Sequence, residues 1–302
     1  MFKTVRKSFS IFFLASYLLT GLSPVAFSAE TLNVIAVGDT GGGNKNQQIV
    51  ADAMAKIAER ESVSFILLLG DNFYIAGVKS VRDEQWKRKF EKVYHHPSLQ
   101  IPFYAVLGNH DYGKNPEAQV KYTGKSPRWK MPAKYYTFNQ KIEDGKEIQF
   151  FGLDTHIMVK RKSKRKIQLK WFKQALADSK AHWKIVFAHH PVYAGGKHGD
   201  TEGFEKWLEP LLIDYKVDLY VSGHEHVLEA LKPVSGVHYL VSGTGSGPTR
   251  IKQSSKDLFA KSALGFALLR ISKEKIDVEL INGKNVELLY KYSIVKAGQQ
   301  GT

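Results

Sequence analysis

The sequence predicts an α/β protein in which two mixed β-sheets pack face to face, with helices on the outside. Two observations lead to this prediction. Up to about residue 227, apolar β-prone runs alternate with segments of helical periodicity, a pattern typical of βαβ units and of a sheet that begins parallel. Beyond that point, closely spaced strands follow one another with turn residues between them, which predicts antiparallel or mixed pairing in the C-terminal third.

The strands predicted for the first part are short apolar runs bounded by turn residues. They are residues 32–37, 65–69, 103–107, 135–138, 148–153, 183–187 and 217–221. Helices are predicted where apolar residues recur every three or four positions. They are residues 46–60, a helix within 81–94, and residues 167–178 and 201–215. The aromatic residues Trp86, Phe90, Trp171 and Phe172 have helical spacing, so we expect them in the core rather than as stacking platforms for bases.

The strands predicted for the last part are residues 228–231, 237–241, 263–271, 276–281 and 286–290. Asn282-Gly283 separates the last two and is typical of a tight hairpin turn. With 302 residues and 43% hydrophobic content, the chain can bury a large core. No long linker divides it, and we expect residues 30–302 to form a single domain.

Residues 1–29 have the pattern of a secretory signal peptide. Lys3, Arg6 and Lys7 precede an apolar stretch over residues 11–22, and small residues end the segment at Ser28 and Ala29. The alternative is an uncleaved membrane anchor, although the stretch is short for a bilayer span and is interrupted by polar residues. We therefore expect a secreted or periplasmic protein with no membrane attachment after cleavage.

Cysteine is absent, which excludes disulfides and thiolate ligands. Any metal ion must therefore be bound through oxygen and imidazole nitrogen. The formal net charge of +15 attracts phosphates, nucleic acids and anionic surfaces without selecting among them. No aromatic-interleaved motif indicates a specific nucleic-acid partner.

Five short segments, here called the polar segments, each bring a ligand-type side chain to the end of a predicted strand. They are Gly38-Asp39-Thr40-Gly41, Gly70-Asp71-Asn72-Phe73-Tyr74, Gly108-Asn109-His110-Asp111, Val186-Phe187-Ala188-His189 and Gly223-His224-Glu225-His226. Because ligands bind at the carboxyl edge of an open α/β sheet, we expect these side chains to meet there. A single Gly-Asp turn carries little information, but five such segments after five strands indicate a site.

A pair of metal ions explains the residue types of these segments, with one carboxylate shared as a bridge. His224 and His226 are two residues apart, so both rings project the same way in an extended chain. Asp71 and Tyr74 can meet one ion if their segment forms a helical turn. A phenolate ligand favours a ferric ion, because a hard anionic oxygen matches high charge.

With these five segments in order, the chain resembles the metallophosphoesterases, and within them the purple acid phosphatases of the small, tartrate-resistant type. The likeness extends from about Asn33 to beyond Gly245, and His189-His190-Pro191-Val192 also matches as a block. The resemblance implies a ferric site formed by Asp39, Asp71, Tyr74 and His226. It implies a divalent site for iron, zinc or manganese formed by Asp71, Asn109, His189 and His224, with Asp71 bridging.

The resemblance also implies two catalytic histidines outside the ligand set, His110 and His198. Either could donate hydrogen bonds to phosphoryl oxygens or protonate the leaving group. Satisfied structural histidines remain the alternative for both. His190 is expected to be a neighbour of the site or a substrate contact.

The chain departs from the family pattern in two respects. It lacks the cysteines of the mammalian relatives. Where those relatives carry a protease-sensitive loop over the site, the sequence predicts only a short loop, residues 155–166. Residues 160–166 are a dense basic run, which is either a solvated loop and helix start or an electrostatic collar that steers phosphates.

The implied activity is that of an acid phosphatase: hydrolysis of small phosphomonoesters by direct attack of a hydroxide activated at an Fe(III)–M(II) pair. A phosphoprotein or a nucleotide is a further candidate substrate. The alternative on the same scaffold is a phosphodiesterase or nucleotide pyrophosphatase. A secreted basic binding protein without turnover is an alternative from another class. The sequence leaves the oligomeric state open.

Overall fold

The computed structural model describes residues 1–2, 31–252, 254 and 256–296. The predicted signal peptide lies almost entirely outside the described residues. Within the described part, no helix is both long and apolar enough to cross a membrane.

Fourteen strands and six α-helices are formed within the described residues. The strands are β1 (Leu32–Val37), β2 (Phe65–Leu68), β3 (Phe103–Ala105), β4 (Trp129–Lys130), β5 (Tyr136–Lys141), β6 (Glu147–Gly152), β7 (Trp183–Ala188), β8 (Leu219–Ser222), β9 (Leu228–Val234), β10 (Val237–Ser242), β11 (Asp257–Lys261), β12 (Gly265–Ile271), β13 (Lys275–Asn282) and β14 (Leu288–Val295). The helices are α1 (Lys45–Glu61), α2 (Pro116–Tyr122), α3 (Thr155–Lys160), α4 (Lys162–Asp178), α5 (Phe204–Trp207) and α6 (Glu209–Asp214).

The strands divide equally between two mixed sheets, which confirms the predicted fold class. The first has the order β14-β13-β12-β1-β2-β3-β4 and the second β11-β9-β10-β8-β7-β6-β5. As predicted, β1, β2 and β3 are parallel, whereas β12, β13 and β14 form an antiparallel meander. The parallel strands β6, β7 and β8 make up the centre of the second sheet.

The sheets pack through aromatic and aliphatic side chains that alternate along each strand. Phe150 of β6 points between the sheets, where its ring lies 5.3 Å from that of Phe65 on β2. The next residue, Phe151, points outward and meets Phe172 of α4 at 5.9 Å. Neighbouring residues of one strand therefore serve two cores, one between the sheets and one beneath the outer helices.

The predicted loop over residues 155–166 is wrong, because this segment is helical. The Asp154 carboxylate caps α3 by accepting a hydrogen bond from the Ile157 amide at 3.1 Å. Helix α4 begins at Lys162, five residues before the predicted start, and includes most of the basic run. The buried Gln168 side chain ties α4 to the Asp154 backbone at 2.9 and 3.1 Å. A polar inward contact therefore anchors this turn.

Two further predicted helices are short or divided in the structure. Within residues 81–94, the helical part is residues 85–91, and Lys87–Glu91 form one wide turn in which the Lys92 amide donates to the Lys87 carbonyl. Trp86 stacks on Tyr122 at 3.5 Å, and it is buried as predicted. The predicted helix over residues 201–215 is divided into α5 and α6, and Pro210, which lacks an amide hydrogen, lies in the first turn of α6.

Candidate metal centre

The five polar segments end their strands at one common edge of the two sheets. The Gly38 amide, after β1 of the first sheet, donates to the carbonyl of Ser242 in the second sheet at 2.7 Å. A Cβ atom on Gly38 would lie 2.9 Å from the Gly223 Cα atom. Glycine at these positions lets the ends of β1 and β8 approach closely, so residues 185 positions apart become neighbours.

Three of the predicted ligands have left-handed backbone conformations. The φ angles are 59° at Asp39, 50° at Asp71 and 67° at His224. Such angles are uncommon for residues other than glycine and concentrate at functional sites. Here the turn comes immediately after each strand and aims each side chain across the sheet edge.

One group of donor atoms gathers around Asp39. The Tyr74 hydroxyl lies 2.9 Å from Asp39 Oδ1 and 3.0 Å from His226 Nε2. His226 Nε2 is 3.4 Å from the same Asp39 oxygen. These three side chains, from three different segments, therefore face one another as the resemblance implied for the ferric site.

A second group gathers around His189. Its Nε2 atom lies 3.0 Å from Asn109 Oδ1, 3.2 Å from His224 Nδ1 and 3.5 Å from Asp71 Oδ1. Donor atoms of Asp39, Asp71 and His189 lie within 4.8 Å of one another, so Asp71 stands between the two groups. The structure thus brings together all seven side chains that the sequence singled out as ligands.

The chemistry of the second group suits a metal ion. His189 Nδ1 lies 2.9 Å from the Leu69 carbonyl oxygen, to which it donates, so its Nε2 lone pair points toward Asn109 and His224. Two imidazole nitrogens and two side-chain oxygens then converge as potential ligands of a metal ion. Oxygen and imidazole donors together accommodate iron, zinc or manganese.

Burial and neighbouring charges shift the pKa values of several ligand candidates. Burial raises the pKa of Asp71, and the neighbouring Asp39 carboxylate raises it further. Burial also raises the pKa of Tyr74, as do the charges of Asp39 and Asp71, so without a cation the phenol stays protonated. Burial lowers the pKa of His224 to about 3. A bound cation would favour the ionised form of the acids and the neutral form of His224.

Asp111 lies within one of the five segments, but no role was predicted for it. Its buried carboxylate accepts hydrogen bonds from the amides of Gly108, Asn72 and Phe73 at 2.9 to 3.1 Å, and from Gln119 Nε2 at 2.8 Å. It therefore fastens the Asp71 segment to the Asn109 segment. Burial, with the charge of Asp71, raises the pKa of Asp111 to about 7.

His110 lies on the Tyr74 side of the site. Its backbone amide donates to Asp71 Oδ1 at 2.9 Å, and its ring centre is 4.7 Å from that of Tyr74. Ring atom Nδ1 is 2.6 Å from the Ile75 carbonyl oxygen, while Nε2 is 3.9 Å from Asp71 Oδ2. The partly exposed ring is held by its Nδ1 atom at the rim of the site.

His198 lies beside the second group of donor atoms, against His224. The two rings are 4.8 Å apart and tilted by 27°, and the His198 side chain is 54% exposed. His190 also packs on His224, at 4.5 Å, but it is buried and its Nδ1 atom is 3.0 Å from Thr155 Oγ1. Of these two histidines, His198 is therefore the one open to solvent.

Helix α3 brings a residue to this region that the sequence did not single out. The His156 ring lies 6.0 Å from that of His190 and 4.7 Å from that of Tyr112. Burial lowers the pKa of His156 to about 4. The Asp154 cap was the signal that could have revealed this helix and, with it, His156.

Comparison with known proteins identifies the family. The model of the calcineurin-like phosphoesterases matches residues 32–228 of the chain. The chain belongs to this family. The tartrate-resistant acid phosphatase type 5 of Oryctolagus cuniculus is 32% identical over 293 residues, which cover 86% of this chain and 90% of that relative. The resemblance read from the five segments is thereby confirmed.

Two solved structures share the fold of this phosphoesterase. GAP50, described as the anchor in the inner membrane complex of Plasmodium, has a TM-score of 0.82 and 28% identity, covering 88% of this chain and 89% of its own. A purple acid phosphatase from yellow lupin seeds has a TM-score of 0.70 at 16% identity, covering 88% and 54%. Since one of them is described as an anchor, activity must be inferred from the site and not from the fold.

Proposed function

We propose that this phosphoesterase is an acid phosphatase that hydrolyses phosphomonoesters at a dinuclear metal centre. The observation that carries the proposal is the convergence of seven ligand-type side chains into two adjoining groups around Asp71. The named activity of the tartrate-resistant relatives supports the choice of reaction. A binding protein needs no such donor set.

Asp39, Asp71, Tyr74 and His226 would hold a ferric ion. Asp71, Asn109, His189 and His224 would hold a divalent ion. When bound, the two ions supply Lewis acidity toward phosphate oxygens and an activated water.

The protein's own contribution is to position and protonate the ester. His110 and His198 lie beside different groups of ligand candidates, next to Tyr74 and His224 respectively. Each can donate a hydrogen bond to a phosphoryl oxygen or a proton to the departing alcohol. No side chain needs to act as the nucleophile, so no covalent phosphoenzyme is required.

We propose small phosphate monoesters as the substrate class, with phosphoproteins and nucleotides as further candidates. Export through the N-terminal segment is also a proposal, checked by sequencing the N-terminus of the protein recovered from the culture medium or periplasm. Cleavage near Ser28 or Ala29 is expected, and recovery of an intact N-terminus in the membrane fraction would contradict it.

The activity is tested with metal-replete protein and a chromogenic aryl phosphate, beside a matched aryl phosphodiester. We expect phosphate release from the monoester to be much the faster. Preference for the diester would favour a phosphodiesterase, and no turnover of either substrate would contradict the proposal.

A further inference from the structure

A short glycine-rich segment carries His198 to the site. Residues 194–198, here named the His198 arm, lie between the His190 segment and α5. Two buried glutamate side chains hold this arm. Glu225 Oε1 accepts from the His198 amide at 2.7 Å, and both Glu229 oxygens lie within 3.0 Å of the Gly195 amide nitrogen. The arm is thus held in place by two side chains of the segment that begins after β8.

Glu225 also contacts the imidazole of His198 itself. The Nδ1 atom of His198 lies 3.2 Å from Glu225 Oε1, the same oxygen that accepts from the backbone amide. Glu225 is fully buried, and a Cβ atom on Gly196 would come within 2.0 Å of its Oε2 atom. The arm therefore needs glycine at this position in order to lie directly on the carboxylate.

We propose that Glu225 is a positioning residue for His198, holding the ring against His224 with Nδ1 as the hydrogen-bond donor and Nε2 turned to the substrate. This inference rests on the proposed phosphatase function. It assigns a task to the residue between His224 and His226: the two imidazoles belong to the two groups of ligand candidates, and the carboxylate between them contacts the His198 arm. A carboxylate that orients an imidazole in this way keeps a proton on Nδ1, and the proton that His198 gives to the leaving group is a second one, carried on Nε2.

The chain offers a matched control in Glu229. It is also fully buried and braces the same arm, but through Gly195 and without contact to His198. Burial, together with Asp257, raises the pKa of Glu229 to about 9. Glutamine is therefore close in shape and charge to the native side chain at this position, so Glu229→Gln should leave the arm in place.

The first experiment measures kcat and KM of metal-replete full-length variants with aryl phosphates of graded leaving-group pKa. We expect Glu225→Gln to lower kcat about 10- to 100-fold, as expected for loss of an orienting partner, with little change in KM. The loss should grow as the leaving group becomes poorer, because His198 protonates it. We expect Glu229→Gln to stay within about twofold of the wild type, since its brace is retained. Equal losses in both variants would overturn the proposal.

A double-mutant cycle separates positioning from general support of the fold. In a His198→Ala background, Glu225→Gln should have no further effect on kcat, because the group it orients is already gone. An undiminished effect in that background would contradict the proposal. Loss of a third metal equivalent in Glu225→Gln would also contradict it. The donor atoms of His198, His224 and Glu225 lie within 4.8 Å of one another, so such a loss would show that these three residues bind a metal ion.

A second measurement does not depend on turnover. In zinc-loaded protein, the His198 Nδ1 proton should give a hydrogen-bonded, slowly exchanging NMR signal, assigned by its absence in His198→Ala. The signal should be lost in Glu225→Gln and retained in Glu229→Gln. If it survives Glu225→Gln, the positioning proposal fails even in an active enzyme. If the wild type hydrolyses no ester but the signal behaves as expected, the proposed function fails instead.

Discussion

Asp111 illustrates how one residue determines a site without being among its ligands. Its carboxylate collects donors from two ligand-bearing segments and from α2, and so sets the distance between Asp71 and Asn109. Partners of this kind orient the ligands, and their loss lowers metal affinity. The sequence could single out the ligand candidates, because their segments follow strands, but it could not predict the direction in which Asp111 points.

We predict that Asp111→Asn lowers metal affinity about 10- to 100-fold, because an amide cannot accept every hydrogen bond that the carboxylate accepts. A buried amide hydrogen left without an acceptor should also cost about 1–3 kcal/mol of stability. Calorimetric metal titration and thermal unfolding measure the two effects. Asp83→Asn is the control, because Asp83 caps a turn at the Lys79 and Gln85 amides without touching a ligand segment. Equal metal affinities in the two variants would contradict the assignment.

Tyr74 is the ligand candidate whose role is easiest to observe. Its hydroxyl is buried between Asp39 and His226, and in the protein alone its pKa is raised. A ferric ion would ionise the phenol, and the resulting phenolate-to-iron transition gives visible colour. We predict that Tyr74→Phe abolishes the visible band of the iron-containing protein. A band of unchanged position and strength in this variant would exclude Tyr74 as an iron ligand.

At the scale of elements, the segment between β6 and β7 differs most from its prediction. The helix in the basic run was not predicted, because the charged residues of the run show no apolar periodicity. The buried contact of helix α4 with Asp154 is made by the polar side chain of Gln168. The Asp154 cap could have been predicted from the sequence, whereas the contact between Gln168 and Asp154 could not. Lys160, the last residue of α3, contributes to lowering the pKa of His156 and His190, though less than burial and the neighbouring histidines do.

We predict that this basic segment steers phosphates toward the metal centre. Replacing the exposed Lys160, Arg161, Lys162 and Lys164 by Gln should lower kcat/KM at low salt by about tenfold and flatten its salt dependence, because long-range attraction is screened by ions. Arg165 is kept, since it packs over the Trp207 ring at 4.7 Å.

The control removes as many charges from the opposite end of the sheets. Lys141, Lys146, Lys180 and Lys216 are exposed and lie at or near the edge away from the five polar segments. Their replacement by Gln should change the salt dependence much less. The collar is excluded if the two quadruple variants respond to salt alike.

At the scale of the whole molecule, the strand order of the two sheets depends on long-range pairing, which local sequence patterns do not predict. The alternation of strands and helices predicted two mixed sheets. It did not reveal that β1 lies between β2 and β12, a strand more than 200 residues later. The short β4 and the irregular β11 were also not predicted, because two residues or a bulged edge strand produce little periodicity. The convergence of the seven side chains was easier to predict than the topology, because each segment only had to follow its own strand.

Arg270 of β12 joins the end of α1 to the first sheet. It lies 2.5 Å from Glu61 and 3.3 Å from Glu279, and the hydrogen bond from Arg270 lowers the pKa of Glu61 from 4.5 to about 2. A lowered folded-state pKa stabilises the fold above pH 4.5, and this stabilisation is lost as the pH falls through about 2.

We predict that Glu61→Gln lowers the free energy of unfolding by a constant amount above pH 4.5, and that its difference from the wild type shrinks as the pH approaches about 2. Denaturant unfolding across this pH range measures the difference. A difference that stays constant down to about pH 2 would show that Glu61 gains nothing from Arg270.

The claim that seven side chains hold two ions is tested most directly by anomalous diffraction from crystals of the metal-replete protein. The account predicts two neighbouring anomalous peaks, one ligated by Asp39, Tyr74 and His226, the other by Asn109, His189 and His224, with Asp71 bonded to both. A single peak, or two peaks that do not share Asp71, would contradict it.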